Sequence, residues 1–296
     1  MQQASALIRP MRPDDVAAAE AVSAEAFLDL ERRLAAPGDP EPQRRTPARA
    51  TQWRTRTEHL LGTDPGGCWV AERDGTMLGF ATSYRRETTW ILATYAVLPG
   101  RQGAGIGTAL LDAALTHSQG CLHGLLAASD DPRALRRYRL AGFDLHPQLH
   151  LSGVLDRTAI PPIDHVREGR VGDIELMDSL DRRTRGAAHG ADHAVLRSMF
   201  DLLVCDRTTG SGYVYHDRGR PMLLAASNRR TATRMLWAAL ALVPPGERVE
   251  IAHVTAANQW ALDVATAGRL SIGTAGHLAL RGLRPPAPYL HHGTFL

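Results

Sequence analysis

The 296-residue chain is 44% hydrophobic and 22% charged, with a formal net charge of +3. The length predicts about two domains, and the composition is that of a globular protein with apolar material for two modest cores. Lysine is absent, so all 34 basic charges are arginine, which excludes Schiff-base catalysis and the lysine-bearing phosphate loop of NTPases. The arginines are interleaved with Asp and Glu, a pattern that argues against a dedicated nucleic-acid surface.

Met1–Pro10 lacks the charged start and apolar run of a secretory signal. Stretches such as Met235–Val243 are too short to cross a bilayer, so no membrane association and a cytoplasmic location are expected. Leu7–Arg9 reads as a short strand, and Asp14 and Asp15 open a helix to about Leu30 with acids suited to its dipole. The proline-rich 36–47 predicts a loop, and a helix follows over 48–61. Strand-like Trp69–Glu72 and Met77–Tyr84 flank Asp74-Gly75, a strong hairpin signal. A strand over Thr89–Leu98 leads to a helix from Gly105 to about His117. A strand at Leu122–Ala127, a helix at Pro132–Leu140 and a strand near Leu149–Val154 complete the first half. Cys68, Cys121 and Cys205 are an odd count at wide spacing and match neither a disulfide framework nor a metal site.

Pro161-Pro162 marks a linker over 155–164. The second half repeats the first imperfectly. A hairpin of Leu202–Asp206 and Gly212–His216 precedes strand Met222–Ala226, helix Arg229–Leu242, strand Val249–Val254 and helix Asn258–Thr266. This order predicts mixed sheets with parallel crossovers, in a duplicated domain. The tail, Pro285–Leu296, is expected to pack along a domain surface. Its adjacent His291 and His292 lack the partner spacing of a metal site, and no metal is expected.

The segment Tyr95–Asp112 carries the chemistry. A strand runs through Val97 and Leu98 into Pro99, then Gln102-Gly103-Ala104-Gly105-Ile106-Gly107-Thr108 opens an amphipathic helix with Leu110, Leu111 and Leu115 on one face. Its glycines let backbone N–H groups converge without obstructing side chains. The helix N-terminus adds roughly half a positive charge, so the turn suits a pyrophosphate. A dinucleotide-binding fold fits poorly, because the turn follows a hairpin and position 127 is alanine where an acid is wanted.

Gln102-x-x-Gly105-x-Gly107 resembles the acetyl-CoA signature of the GCN5-related N-acetyltransferases, and Asp131–Phe143 is similar to a second segment of that family. The resemblance implies an α/β fold of two tandem domains, each a central mixed sheet flanked by helices. An acetyl-CoA-binding domain spans 1–154, a linker 155–164 and a degenerate copy 165–296. By the same resemblance, Val97, Leu98, Gln102, Gly103, Ala104, Gly105, Ile106, Gly107 and Thr108 hold acetyl-CoA. An N–H near Ala96–Val97 stabilises the oxyanion, and Tyr138 protonates the departing thiolate. The product is an acetylated amine of an unidentified small-molecule or peptide acceptor.

Where many members carry a basic carboxylate this chain has Thr94, which leaves Glu87, Tyr95 and His123 as nearby options. Arg44, Arg45 and Arg49 lie where the family builds acceptor contacts. In the second half, Ala226–Thr233 lacks the glycines and Val264 stands in the tyrosine's place. A non-catalytic acyl-CoA sensor and an enzyme of different acyl preference are the alternative readings.

Overall fold

The computed structural model describes residues 6–38 and 40–296. The chain divides into two compact units, one of Met1–Gly124 with Asp131–Arg133, the other of Leu125–Asp130 with Ala134–Leu296. The linker expected at 155–164 therefore falls inside the second unit.

In the first unit, β1 (Leu7–Pro10) is followed by α1 (Val16–Leu34) and α2 (Pro47–Thr63). Thr46 caps α2 by accepting the amide of Arg49, and Pro47 occupies the first helical position, where its missing N–H costs nothing. Strands β2 (Cys68–Arg73), β3 (Thr76–Arg86) and β4 (Thr89–Val97) pair antiparallel with β1 in sequence order. Asp74 and Gly75 have φ of 50° and 73°, both positive as a two-residue hairpin matched to strand twist requires. After β4 the chain enters α3 (Ile106–Thr116), whose Leu110 and Leu111 are buried.

Two faces of this sheet are distinct. A Cβ on Gly79 would lie 3.1 Å from Leu110 Cδ1, so α3 covers the face of β3 to which position 79 points. Trp53 of α2 meets Phe80 edge-on at 5.6 Å, so the next residue along β3 points to α2.

In the second unit, β5 (His123–Ala128, from Leu125 onward) and α4 (Pro132–Leu140, from Ala134 onward) precede β6 (Asp144–Val154). Then come β7 (Arg167–Glu168), α5 (Ile174–Arg185), α6 (Asp192–Met199), β8 (Asp201–Cys205), β9 (Gly212–Asp217), β10 (Arg220–Ala226) and α7 (Arg229–Ala241). The chain ends with β11 (Arg248–Thr255), α8 (Gln259–Ala267), β12 (Ser271–Arg281) and β13 (Tyr289–Leu290). Strands β7 to β10 pair antiparallel in sequence order, with β13 beside β10. The order β7 to β10, α7, β11, α8, β12 repeats that of β1 to β4, α3, β5, α4, β6. Strand β6 lies between β12 and β11 and pairs antiparallel with both. A core including Leu151, Met235, Trp237, Ile251 and Trp260 fills the space against α7 and α8. The tail lies deeper than the surface packing expected: Phe295 and Leu296 are fully buried.

Candidate active site

Strand β4 is irregular where it approaches the glycine turn. Thr82 pairs with Thr94 but Ser83 with Leu92, so Ala93 is an extra residue in β4. Such a bulge bends its strand and commonly lies beside functional sites. Past it, Ala96 opposes Phe80 and Val97 opposes Gly79. The Leu98 amide donates to the Leu78 carbonyl at 2.9 Å, which holds the end of β4 against β3.

Gln102 turns back so that its Nε2 donates to the Val97 carbonyl at 3.2 Å, closing the turn from within. Gly103 and Gly105 have φ of 86° and 81°, a left-handed backbone that side chains disfavour. A Cβ at either would meet nothing within 4 Å, so conformation rather than crowding explains glycine here. Gly105 caps α3 with no side-chain acceptor. The first amides of a helix have no intrahelical partner, and here those of Ile106, Gly107 and Thr108 follow an exposed Gly103-Ala104-Gly105. The structure thus brings Val97, Leu98 and Gln102–Thr108 into one strand–turn–helix unit that can receive an anion.

Tyr138 lies on α4 in the second unit and is 5% exposed. Asp131, at the N-terminus of α4, accepts the Arg133 amide at 2.9 Å and so caps the helix that carries the tyrosine.

The basic groups weighed from sequence fall elsewhere. Glu87 occupies the β3–β4 turn with φ of 52°, the length of β4 away from the glycine turn, roughly 30 Å at 3.3 Å per residue. The His123 amide donates to the Thr88 carbonyl at 3.2 Å, at that same far end. Neither is near the turn. Tyr95 and Thr94 are half-buried close to it, with Thr94 on the face shared by Phe80. Of the loop arginines, Arg44 and Arg49 are exposed. Arg45 is held by Glu20 at 2.7 Å and Ser23 at 3.0 Å, with its guanidinium over Trp53.

The second unit holds a buried polar cluster that sequence reading missed. Asp181 accepts from the Tyr213 hydroxyl at 2.5 Å and pairs with His189 Nδ1 at 2.7 Å. His193 Nε2 lies 3.2 Å from Asp178. Burial alone would lift the Asp181 carboxyl, but His189 and His193 hold it well below the usual carboxylate range. Burial would lower His193, but Asp178 and Asp181 outweigh it and raise this histidine. The ligand atoms of Asp181, His189 and His193 lie within 4.8 Å of one another, a possible metal set, although here these groups bond to one another. A second buried pair, His253 and His291, stacks at 4.4 Å with Gln148 between their polar edges.

A model of the Acetyltransferase (GNAT) family matches residues 27–143. A mycothiol acetyltransferase of Streptomyces avermitilis is 35% identical over 88 residues, which is 28% of this chain and 29% of that protein. A Pyrococcus horikoshii protein classed as an acetyltransferase shares the fold over 100% of this chain and 94% of its own, with a TM-score of 0.72 at 18% identity. A GCN5-related N-acetyltransferase of Sphaerobacter thermophilus shares it over 95% and 96%, with a TM-score of 0.59 at 16% identity. The match over residues 27–143 makes that part of the chain similar to the GNAT family, and the two solved structures share the fold along nearly the whole chain.

Proposed function

We propose that Val97, Leu98 and Gln102–Thr108 bind acetyl-CoA and that the acetyl group passes to an amine by direct attack. The carrying observation is the glycine turn itself: a left-handed backbone opening a helix whose first amides lack any side-chain cap. Those amides and the helix dipole suit a pyrophosphate. The neutral amine attacks the thioester carbon, and the N–H groups near Ala96–Val97 receive the developing oxyanion. The ammonium proton leaves to solvent, the C–S bond breaks, Tyr138 gives its hydroxyl proton to the thiolate, and the phenolate regains a proton from solvent before the next turnover. The second half serves as a degenerate copy without its own acetyl-CoA turn. The Streptomyces avermitilis relative is named for mycothiol but is matched over less than a third of its length, so the acceptor here is stated as an amine.

A second reading draws on Thr94 and on the remote placement of Glu87 and His123. With no carboxylate or imidazole assigned beside the turn, a non-catalytic acyl-CoA sensor is the alternative, and it binds without turnover on any amine. Thermal unfolding with acetyl-CoA, wild type beside Gly105→Glu, tests the site first. Ligand at 100 times its Kd stabilises by about 2.7 kcal/mol, and the variant is expected to lose that shift because a carboxylate would enter the anion position. No shift in the wild type would remove both readings.

A further inference from the structure

The α2 face toward the sheet buries Trp53, Thr57 and Leu60 at helical spacing. Arg56 follows Trp53 by three residues and therefore lies along that face. Its Nε is shut from solvent and has no hydrogen-bond partner, and no ion pair to a described residue compensates its charge. Arg45, whose charge Arg56 feels, is already balanced by Glu20. Burial, and then the like charge of Arg45, pull the Arg56 guanidinium down to about 10. Arg56 as a whole is half-buried, and a guanidinium whose Nε is shut in with no acid beside it is costly to keep unless something else meets it.

Its position says what that is. Trp53 touches Phe80, Phe80 opposes Ala96 in β4, and Ala96 immediately precedes the strand end proposed to hold the thioester. Thr94, at the position of the missing carboxylate, shares that face. A row of side chains thus leads from an uncompensated guanidinium to the proposed reaction centre, on the face opposite α3.

We infer that Arg56 receives an oxyanion of the acceptor, so that the substrate is an amine bearing a carboxylate or phosphate on the same molecule. A guanidinium fork fits either group through paired N–H donors. This inference rests on the acetyl-transfer reading, and its test is separable from it.

The probes are the common amino acids, each beside its carboxamide, and O-phosphoethanolamine beside ethanolamine. With acetyl-CoA present, the wild type is expected to acetylate at least one anionic amine with kcat/KM roughly tenfold to a hundredfold above its neutral partner, the range of a charge-assisted hydrogen bond. Arg56→Gln should erase that preference, with the loss falling on KM of the anionic member rather than on kcat. The carboxylate and phosphate pairs tell the two anions apart. Thermal shift by the same probes, without acetyl-CoA, reads anion binding even if no acetyl transfer occurs. There the wild type should respond to an anionic member and Arg56→Gln should not. Arg56→Met, unliganded, should melt no lower than the wild type, since it removes an uncompensated charge. Equal response to anionic and neutral amines in the wild type, an undiminished preference in Arg56→Gln, or a marked loss of stability in Arg56→Met would each overturn the inference. Failure of acetyl-CoA to stabilise the wild type, with the anion response intact, would instead remove only the acetyl-transfer reading.

Discussion

Single side chains decide two outcomes. If Tyr138 supplies the proton to the leaving thiolate, Tyr138→Phe should lower kcat by about 10²–10⁴-fold, the usual worth of a positioned acid. Acetyl-CoA binding, read by thermal shift, should persist. His253 gives a pH dependence in the second unit. Burial, and then His150, bring it down to about 4, and its stacked neighbour His291 is lowered by burial and by His253. In the unfolded chain a histidine takes up its proton near pH 6.5, whereas folded His253 resists until about 4. The unfolded state therefore binds the extra proton between those values, and stability should fall as pH drops through that window, by on the order of 3 kcal/mol for His253 alone. Urea midpoints at pH 7 and pH 5 capture about 2 kcal/mol of that loss. His253→Asn should shrink it, because asparagine tolerates the φ of 63° found there and carries no proton. The glycine turn was legible at this scale because its chemistry is written in consecutive residues. Arg56 was not: it is one arginine among 34, and only its surroundings make it unusual.

At the scale of elements, the contact between α3 and the sheet can be tested directly. A Cβ at position 79 would stand 2.7 Å from the Ala96 carbonyl and 3.1 Å from Leu110. Gly79→Val should therefore push α3 away from β3, costing about 1–3 kcal/mol as overpacking does, seen as a lower Tm. Because Ala96 and Val97 lie at the same contact, acetyl-CoA affinity should fall as well. Elements with one apolar stripe, such as α3 and α7, were readable from spacing. Helix α5 was not, because its inward face includes Asp181, Thr184 and Arg185, polar groups that bonding partners make tolerable in the interior. The sequence points to a strand only near Leu149–Val154. The real strand begins at Asp144, and its pairings shift register beside Gln148 on one side and His150 on the other, with bulges accommodating a strand that contains proline.

For the molecule as a whole, the repeat of element order was visible in the sequence, but where its strands pair was not, since pairing partners far apart leave no local signature. Strand β6 comes from the first half yet its two neighbours, β11 and β12, come from the second. A chain stopped at Leu155 should consequently fail to give a folded monomer, and supplying residues 156–296 in the same cell should restore solubility. A well-dispersed, monomeric 1–155 fragment would contradict this.

The same pairing bears on synthesis. Residue 154 leaves the ribosome well before Ser271 begins β12, an interval on the order of ten seconds at usual elongation rates. Until β11 is made the nascent chain carries β6 without either partner, and until β12 is made without one of them, and Pro147 with the polar His146, Gln148 and His150 makes that edge a poor template for neighbouring polysomes. Closure of this part of the sheet therefore waits until β12 has been made, more than a hundred residues after β6.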